Sequence, residues 1–233
     1  MVIFMEQLQN GFLLDTPPGT FPLSTDSILL ADFVRLPKNA EVLDLGSGCG
    51  TLGLLLCAGD TACRITGVEL DKISHKAAID NIQRNNLMQR MESICADIQN
   101  LSQVVPAGHF SVCISNPPYF QGGPASQDNP LARRNDACDT DSLMAAAAKA
   151  LRYGGDFYVV QKPENLALLC AWGAKYGLEA KRLKLVRHHP EAKVSMILLQ
   201  LKKGAKPGLV WEELILHNPD GTPTEEYKRI YHL

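Results

Sequence analysis

Three alternate glycines stand between an apolar pentapeptide and an apolar helical run. Glu41-Val42-Leu43-Asp44-Leu45 leads into Gly46-Ser47-Gly48-Cys49-Gly50, and Thr51 to Ala58 follows. A strand that must turn at once into a helix needs backbone conformations that side chains disfavour. Glycines at alternate positions supply that turn and leave main-chain amides open at a helix start. The junction commits the chain to a strand-helix-strand unit, the building block of a parallel sheet. Gly48-x-Gly50-x-x-Gly53 also satisfies the dinucleotide fingerprint, so the loop alone leaves open which nucleotide-like ligand it holds.

The rest of the chain repeats the pattern. Arg64 to Val68, Ser93 to Ala96, Phe110 to Ser115 and Asp156 to Gln161 read as buried strands, separated by helical periods over Ile73 to Asn86, Ser142 to Tyr153 and Glu164 to Tyr176. At least five strands are therefore expected to be parallel, joined by right-handed crossovers. Leu178 to Arg187 and Lys193 to Leu201 are too close for a crossover helix, which predicts an antiparallel pair at the sheet edge. Val210 to Leu216 is a further strand candidate, and Asn218-Pro219-Asp220-Gly221 a turn. Upstream, Thr25 is expected to cap a helix that runs to about Arg35 and stops before Pro37. The expected organisation is an N-terminal extension with this helix over 1–36, an α/β core over 37–203 and a tail over 204–233.

Composition narrows the class. With 233 residues, 45% hydrophobic and 21% charged, the chain can bury a large core and is neither disordered nor of low complexity. Its longest apolar run, Leu52 to Ala58, is far short of the roughly 20 residues that span a bilayer. Met1 to Asn10 carries Glu6 and no basic stretch, which argues against a secretory signal. Seven cysteines without a Cys-x-x-Cys pair point to a reduced, cytoplasmic protein with no membrane and no metal. Adjacent His188 and His189 point apart on a strand and lack ligand partners at suitable spacing. A net charge of -2 speaks against a nucleic-acid partner at first sight. It conceals a basic stretch: 175–206 holds nine Lys or Arg against Glu179 and Glu191, so a phosphate contact, if made, is local.

Three acids follow the strands. Glu69 ends the second strand, where a carboxylate can accept hydrogen bonds from both ribose hydroxyls of an adenosine-type ligand. Asp44 sits at the first strand end, where it suits an ammonium group and would repel a pyrophosphate. Asp97 closes the third strand, placed either to accept from an adenine amine or to cap a helix. Ser115-Asn116-Pro117-Pro118-Tyr119-Phe120 follows the fourth strand, at the edge where open parallel sheets bind ligands. A planar amine is a poor nucleophile because its lone pair is delocalised. The Asn116 side-chain oxygen and the Pro117 carbonyl can each accept one of its N–H bonds, with the two prolines holding that carbonyl in place. Tyr119 can stack on a flat acceptor, which in a nucleic acid requires the base to leave its stack.

As an ordered set, Asp44 to Gly50, Glu69, Asp97 and Asn116 to Tyr119 resemble the class I S-adenosylmethionine-dependent methyltransferases that act on planar amines. Ser24 to Ala31, Leu131 to Arg134, Gly204 to Leu209, Asp220-Gly221 and Tyr227 to Tyr231 extend the resemblance to the tRNA(Val) adenine-37 N6-methyltransferase group. The resemblance implies a Rossmann-like α/β fold, with a seven-stranded, mostly parallel sheet, an antiparallel edge strand and helices on both faces. It implies S-adenosylmethionine as donor and S-adenosylhomocysteine as product, the donor site being lined by Thr25, Asp44, Gly46, Ser47, Gly48, Cys49, Gly50, Glu69, Leu70, Asp97, Ile98 and Asn116. Catalysis falls to Asn116, Pro117, Pro118 and Tyr119, acting on a flipped adenine of an RNA, expected to be a tRNA, with Lys181, Arg182, Lys184 and Arg187 as phosphate contacts. Where the group often has His-Glu after Arg133, this chain has Arg134-Asn135, so the 121–138 segment is where specificity can differ. Two other readings stay open: a protein glutamine N5-methyltransferase, and a non-catalytic S-adenosylmethionine-binding module. A nicotinamide dehydrogenase is disfavoured by Asp44 and by Asn116-Pro117-Pro118.

Overall fold

The structure, a computed structural model, describes residues 5–8, 11–59, 62–118 and 140–233. Tyr119, Arg133, Arg134 and the 121–138 segment lie outside these residues. Eight strands form the main sheet: β3 (Glu41–Leu45), β4 (Arg64–Glu69), β5 (Met91–Cys95), β6 (Phe110–Ser115), β7 (Leu151–Gln161), β8 (Leu178–Arg187), β9 (Val194–Lys203) and β10 (Val210–Ile215), in the order β10-β8-β9-β7-β6-β3-β4-β5. A short hairpin of β1 (Met5–Gln7) and β2 (Leu13–Asp15) stands apart from it. The helices are α1 (Thr25–Phe33), α2 (Thr51–Gly59), α3 (Lys72–Arg84), α4 (Thr140–Ala150), α5 (Leu166–Lys175) and α6 (Glu225–Tyr231).

Strand alternation sorts the apolar side chains into two cores. Val42, Ile114, Tyr158 and Leu198 pack with α1, α2 and α3, whereas Leu43, Cys113, Phe157 and Leu199 pack with α4 and α5 on the other face. Central strands buried on both faces are mostly apolar, and in β6, FSVCIS with every residue buried, the two serines donate their hydroxyls to the Glu41 and Leu45 carbonyls. Strands β3 to β7 are mutually parallel as expected.

The far side of the sheet differs from expectation. Strands β8 and β9 do pair antiparallel, but β9 lies inside the sheet, between β7 and β8, rather than at the edge. β8 thereby regains the direction of β7, and β10 pairs parallel with its outer side, so the sheet has eight strands instead of seven. Charge accounts for the extra strand. Arg182 makes a two-pronged pair with Glu212 at 2.8 and 3.2 Å, Lys184 reaches Glu226 at 3.2 Å, and Arg187 pairs with Glu213 at 2.6 Å. Three of the nine cations of the basic stretch are thus paired by β10 and α6. Arg182 also lies over the Phe33 ring, 4.3 Å from its centroid.

Two smaller readings are corrected. The cap of α1 is Ser24, whose Oγ accepts the Ser27 N–H at 3.3 Å, and Thr25 is the first helical residue. The helix ends at Phe33, short of Arg35. The His188 ring lies face to face with His217, centroids 5.6 Å apart, and His217 meets Tyr227. Among the described residues no group of His, Cys, Asp or Glu is arranged to hold a metal ion, and no helix is long and apolar enough to cross a membrane.

Candidate active site

Strand order reverses between β3 and β6: from β3 the chain runs outward through β4 and β5, and from β6 through β7 in the opposite direction. Loops leaving two such strands diverge and open a crevice at their carboxyl ends. The glycine loop lies on one side of this crevice and Asn116 on the other. Ser115 ties the two together, its Oγ donating to the Leu45 carbonyl at 2.7 Å.

The loop needs its glycines. Gly46, Gly48 and Gly50 have φ of 75°, 55° and 84°, the left-handed region that side chains disfavour. The turn is pinned by Gly46 and Ser47 N–H groups donating to the Val68 carbonyl at 2.9 and 3.1 Å. Gly67 lies beneath, where an added Cβ would stand 2.7 Å from Ser47 Oγ.

Glu69 is oriented for a ligand. Its Oε2 accepts the Gly48 N–H at 2.8 Å and its Oε1 the Asp71 N–H at 2.7 Å, one bond to each oxygen. A carboxylate oxygen has further lone-pair capacity, so both can still accept from a pair of hydroxyls. Beyond it, Leu70 is 53% exposed, an apolar surface at the crevice edge. Asp97 takes the capping role: Oδ1 accepts the Gln99 N–H at 2.8 Å at the start of a 3-10 turn, Ile98–Gln103, in which Ile98 is buried.

Asp44 is the most unusual group. It is fully buried, and neither carboxylate oxygen has a hydrogen-bond partner among the described residues. Burial, reinforced by the nearby Glu69 charge, pushes its pKa from the ordinary 3.8 up to about 8. An orphaned buried acid is costly, and a cation brought to it would restore the charged form. Asp44, the glycine loop with no side chains at 46, 48 and 50, and Glu69 thus fit an ammonium-bearing adenosyl ligand such as S-adenosylmethionine.

On the opposite wall, Asn116 is half-buried, and its Nδ2 donates to Ser27 Oγ at 3.0 Å. Pro117 is buried and Pro118 exposed. Arg229 of α6 donates to both carboxylate oxygens of Asp32 in α1 at 2.7 and 3.0 Å, so the helix that begins at Thr25 is held against α6 next to the crevice. Two contacts escape a reading of the sequence. Ser27 meets Asn116 across 89 residues. Asn81 accepts the Asp15 N–H at 2.9 Å and donates to the Asp15 and Cys49 carbonyls at 3.0 Å each, fastening β2 to the glycine loop. Neither Ser in α1 nor Asn in α3 carries a local signal for such a role. A cavity of about 300 Å³ lies elsewhere, at the opposite edge of the sheet near Glu41, Arg64 and His109.

This crevice, a glycine loop and ribose-ready acid facing a fixed amide, agrees with comparison to known proteins. Residues 22–167 match the methyltransferase small domain family model, and the chain belongs to that family of S-adenosylmethionine-dependent methyltransferases. It is similar to the tRNA1(Val) (adenine(37)-N6)-methyltransferase of Tolumonas auensis, 32% identical over 93% of this chain and 90% of the relative, and to that of Aeromonas hydrophila, 31% identical over 93% and 91%. Among solved structures it resembles a predicted O-methyltransferase of Agrobacterium tumefaciens, with TM-score 0.74, 20% identity and coverage of 89% of this chain and 96% of that one. The T. thermophilus 16S rRNA N2 methyltransferase, solved with AdoMet and guanosine, gives TM-score 0.62 at 23% identity, over 87% of this chain and 50% of that one. These last two likenesses establish the Rossmann-like fold.

Proposed function

We propose that the protein transfers a methyl group from S-adenosylmethionine to the N6 amine of an adenine in a tRNA. The observation that carries this reading is Asn116, held beside the glycine loop with its side-chain oxygen taking no hydrogen bond from the described residues. The names of the relatives supply the adenine and the tRNA.

The bound donor supplies an electrophilic methyl group on a sulfonium. Asp44 would receive its ammonium, the glycine loop would let its methionine portion approach the backbone, and Glu69 would accept from its ribose hydroxyls. Leu70 and Ile98 flank the adenine ring, and the second oxygen of Asp97 accepts from its amine; Thr25 borders the pocket. Asn116 Oδ1 and the Pro117 carbonyl accept the two N–H bonds of the target amine, which draws the nitrogen toward tetrahedral and directs its lone pair at the methyl group. Pro118 fixes that carbonyl, and Tyr119 stacks on the flipped base. No base is needed before attack, so positioning supplies most of the rate. The product amine sheds its proton after transfer.

Phosphate contacts need free cations. Arg182, Lys184 and Arg187 are engaged by Glu212, Glu226 and Glu213, whereas Lys181 donates to the Lys206 carbonyl at 3.1 Å and has no acidic partner among the described residues. Lys181 is therefore the residue of this group assigned to the RNA backbone, and the other three hold β10 and α6. A tRNA substrate places the enzyme in the cytoplasm.

The Asn116→Ala variant tests the reading. Methyl transfer to tRNA should fall below detection while donor affinity, measured by calorimetry, stays within about threefold, because the side chain touches the acceptor and leaves the main donor contacts intact. Retained turnover would refute the amine-holding role.

A further inference from the structure

We propose that Ser27 is a positioning residue that keeps the Asn116 carboxamide turned with its oxygen toward the target amine. The inference rests on the amine-holding role of Asn116. A carboxamide has two arms of nearly equal shape and opposite hydrogen-bonding character. Only the oxygen arm can accept from an amine; a flipped side chain would set N–H against N–H and push the acceptor away. Nothing in the Asn-Pro-Pro sequence chooses between the two arms, so the choice must come from a neighbour.

Ser27 is that neighbour. It is 4% exposed, on the first turn of α1, and its Oγ takes the Asn116 Nδ2–H at 3.0 Å. Its backbone is fixed by the cap, since its own N–H donates to Ser24 Oγ at 3.3 Å. Ser24 Oγ and Ser27 Oγ also lie 3.3 Å apart. In the proposed arrangement the Ser27 proton goes to Ser24, which leaves the Ser27 oxygen with lone pairs only. An oxygen offering lone pairs selects the Nδ2 arm, and Oδ1 is left facing the crevice. Helix α1, which lies before the glycine loop in the chain, thereby sets the geometry of an amide that follows β6.

Steady-state kinetics on the full chain, with an in-vitro transcript of tRNA1(Val) and S-adenosylmethionine, separate this role from a structural one. Ser27→Ala should lower kcat about fivefold, the ratio that corresponds to one neutral hydrogen bond, with the tRNA KM and donor Kd unchanged. Ser27→Thr keeps the hydroxyl and should recover most of that loss. The decisive arm uses Asn116→Asp. A carboxylate accepts on both arms and has no wrong face, so adding Ser27→Ala to that variant should cost little further rate. An unchanged kcat in S27A, a loss expressed wholly in KM or donor Kd, or the same loss in the Asn116→Asp background would overturn the proposal. If Asn116→Asp turns over too slowly to time, the split between kcat and KM and the S27T rescue decide. Failure of the underlying reading looks different, because Asn116→Ala would then still methylate.

Discussion

Replacing Asp44 with asparagine should raise stability at neutral pH and weaken donor binding. In the unfolded chain Asp44 ionises near the ordinary 3.8, whereas in the folded, donor-free protein burial holds its proton until about pH 8. Across that window the unfolded state binds fewer protons than the folded one, so the contribution of Asp44 to stability is full at low pH and is lost as pH rises toward 8. The loss accumulates at about 1.4 kcal/mol per pH unit and reaches at most about 4 kcal/mol near pH 7. Against a typical total of about 5–15 kcal/mol this is large. Asparagine has the shape of the protonated acid and cannot ionise, so Asp44→Asn removes the slope. Urea denaturation at about pH 5, 6, 7 and 8 should show the variant already ahead by about 1.5 kcal/mol at pH 5 and the gap widening toward the alkaline end, the two converging only below about pH 4. Donor binding should move oppositely. The ammonium needs the ionised acid, so donor affinity in the native protein should strengthen toward pH 8, and calorimetry in buffers of different ionisation enthalpy should register proton release. Parallel stability curves over this range, or a variant that binds donor as tightly as the native protein, would refute the reasoning.

Three further substitutions test the scaffold. Glu69→Ala removes the acceptor of the Gly48 and Asp71 N–H groups together with the proposed ribose contact, and donor Kd should rise about 10–100-fold by calorimetry, the range for a hydrogen bond to a charged group. Asn81→Ala leaves buried backbone groups of Asp15 and Cys49 unpaired and should cost about 2–3 kcal/mol in urea denaturation. The neighbouring Asp80→Ala, which removes an exposed ion pair with Lys76, should change stability by less than about 0.5 kcal/mol.

Local chemistry made part of this molecule legible from its sequence. Glycines at 46, 48 and 50 announced a turn that needs positive φ, and each adopts one. The apolar runs announced β3 to β7 because a strand buried on both faces is made mostly of apolar side chains. The sheet beyond β7 was read less fully. The short connection after Arg187 required an antiparallel pair, yet nothing local to β9 says whether its other side faces solvent or β7. Likewise the basic residues of β8 announced charge, and their purpose became visible only when β10 brought Glu212 and Glu213 alongside. Thr25 was the expected cap, and the entry path of the chain put Ser24 in that place instead. In the crevice, Asp44 was recognisable as an acid at a strand end, but its complete burial without a partner is a property of three-dimensional packing.

The central claim is methyl transfer to an adenine amine, and identification of the methylated product tests it most directly. The protein is incubated with isotope-labelled S-adenosylmethionine, undermodified tRNA and a protein fraction, each then digested to nucleosides or amino acids and resolved by mass spectrometry. The account predicts label in N6-methyladenosine from the tRNA. Label in N5-methylglutamine from protein, in a different nucleoside, or in neither fraction would contradict it.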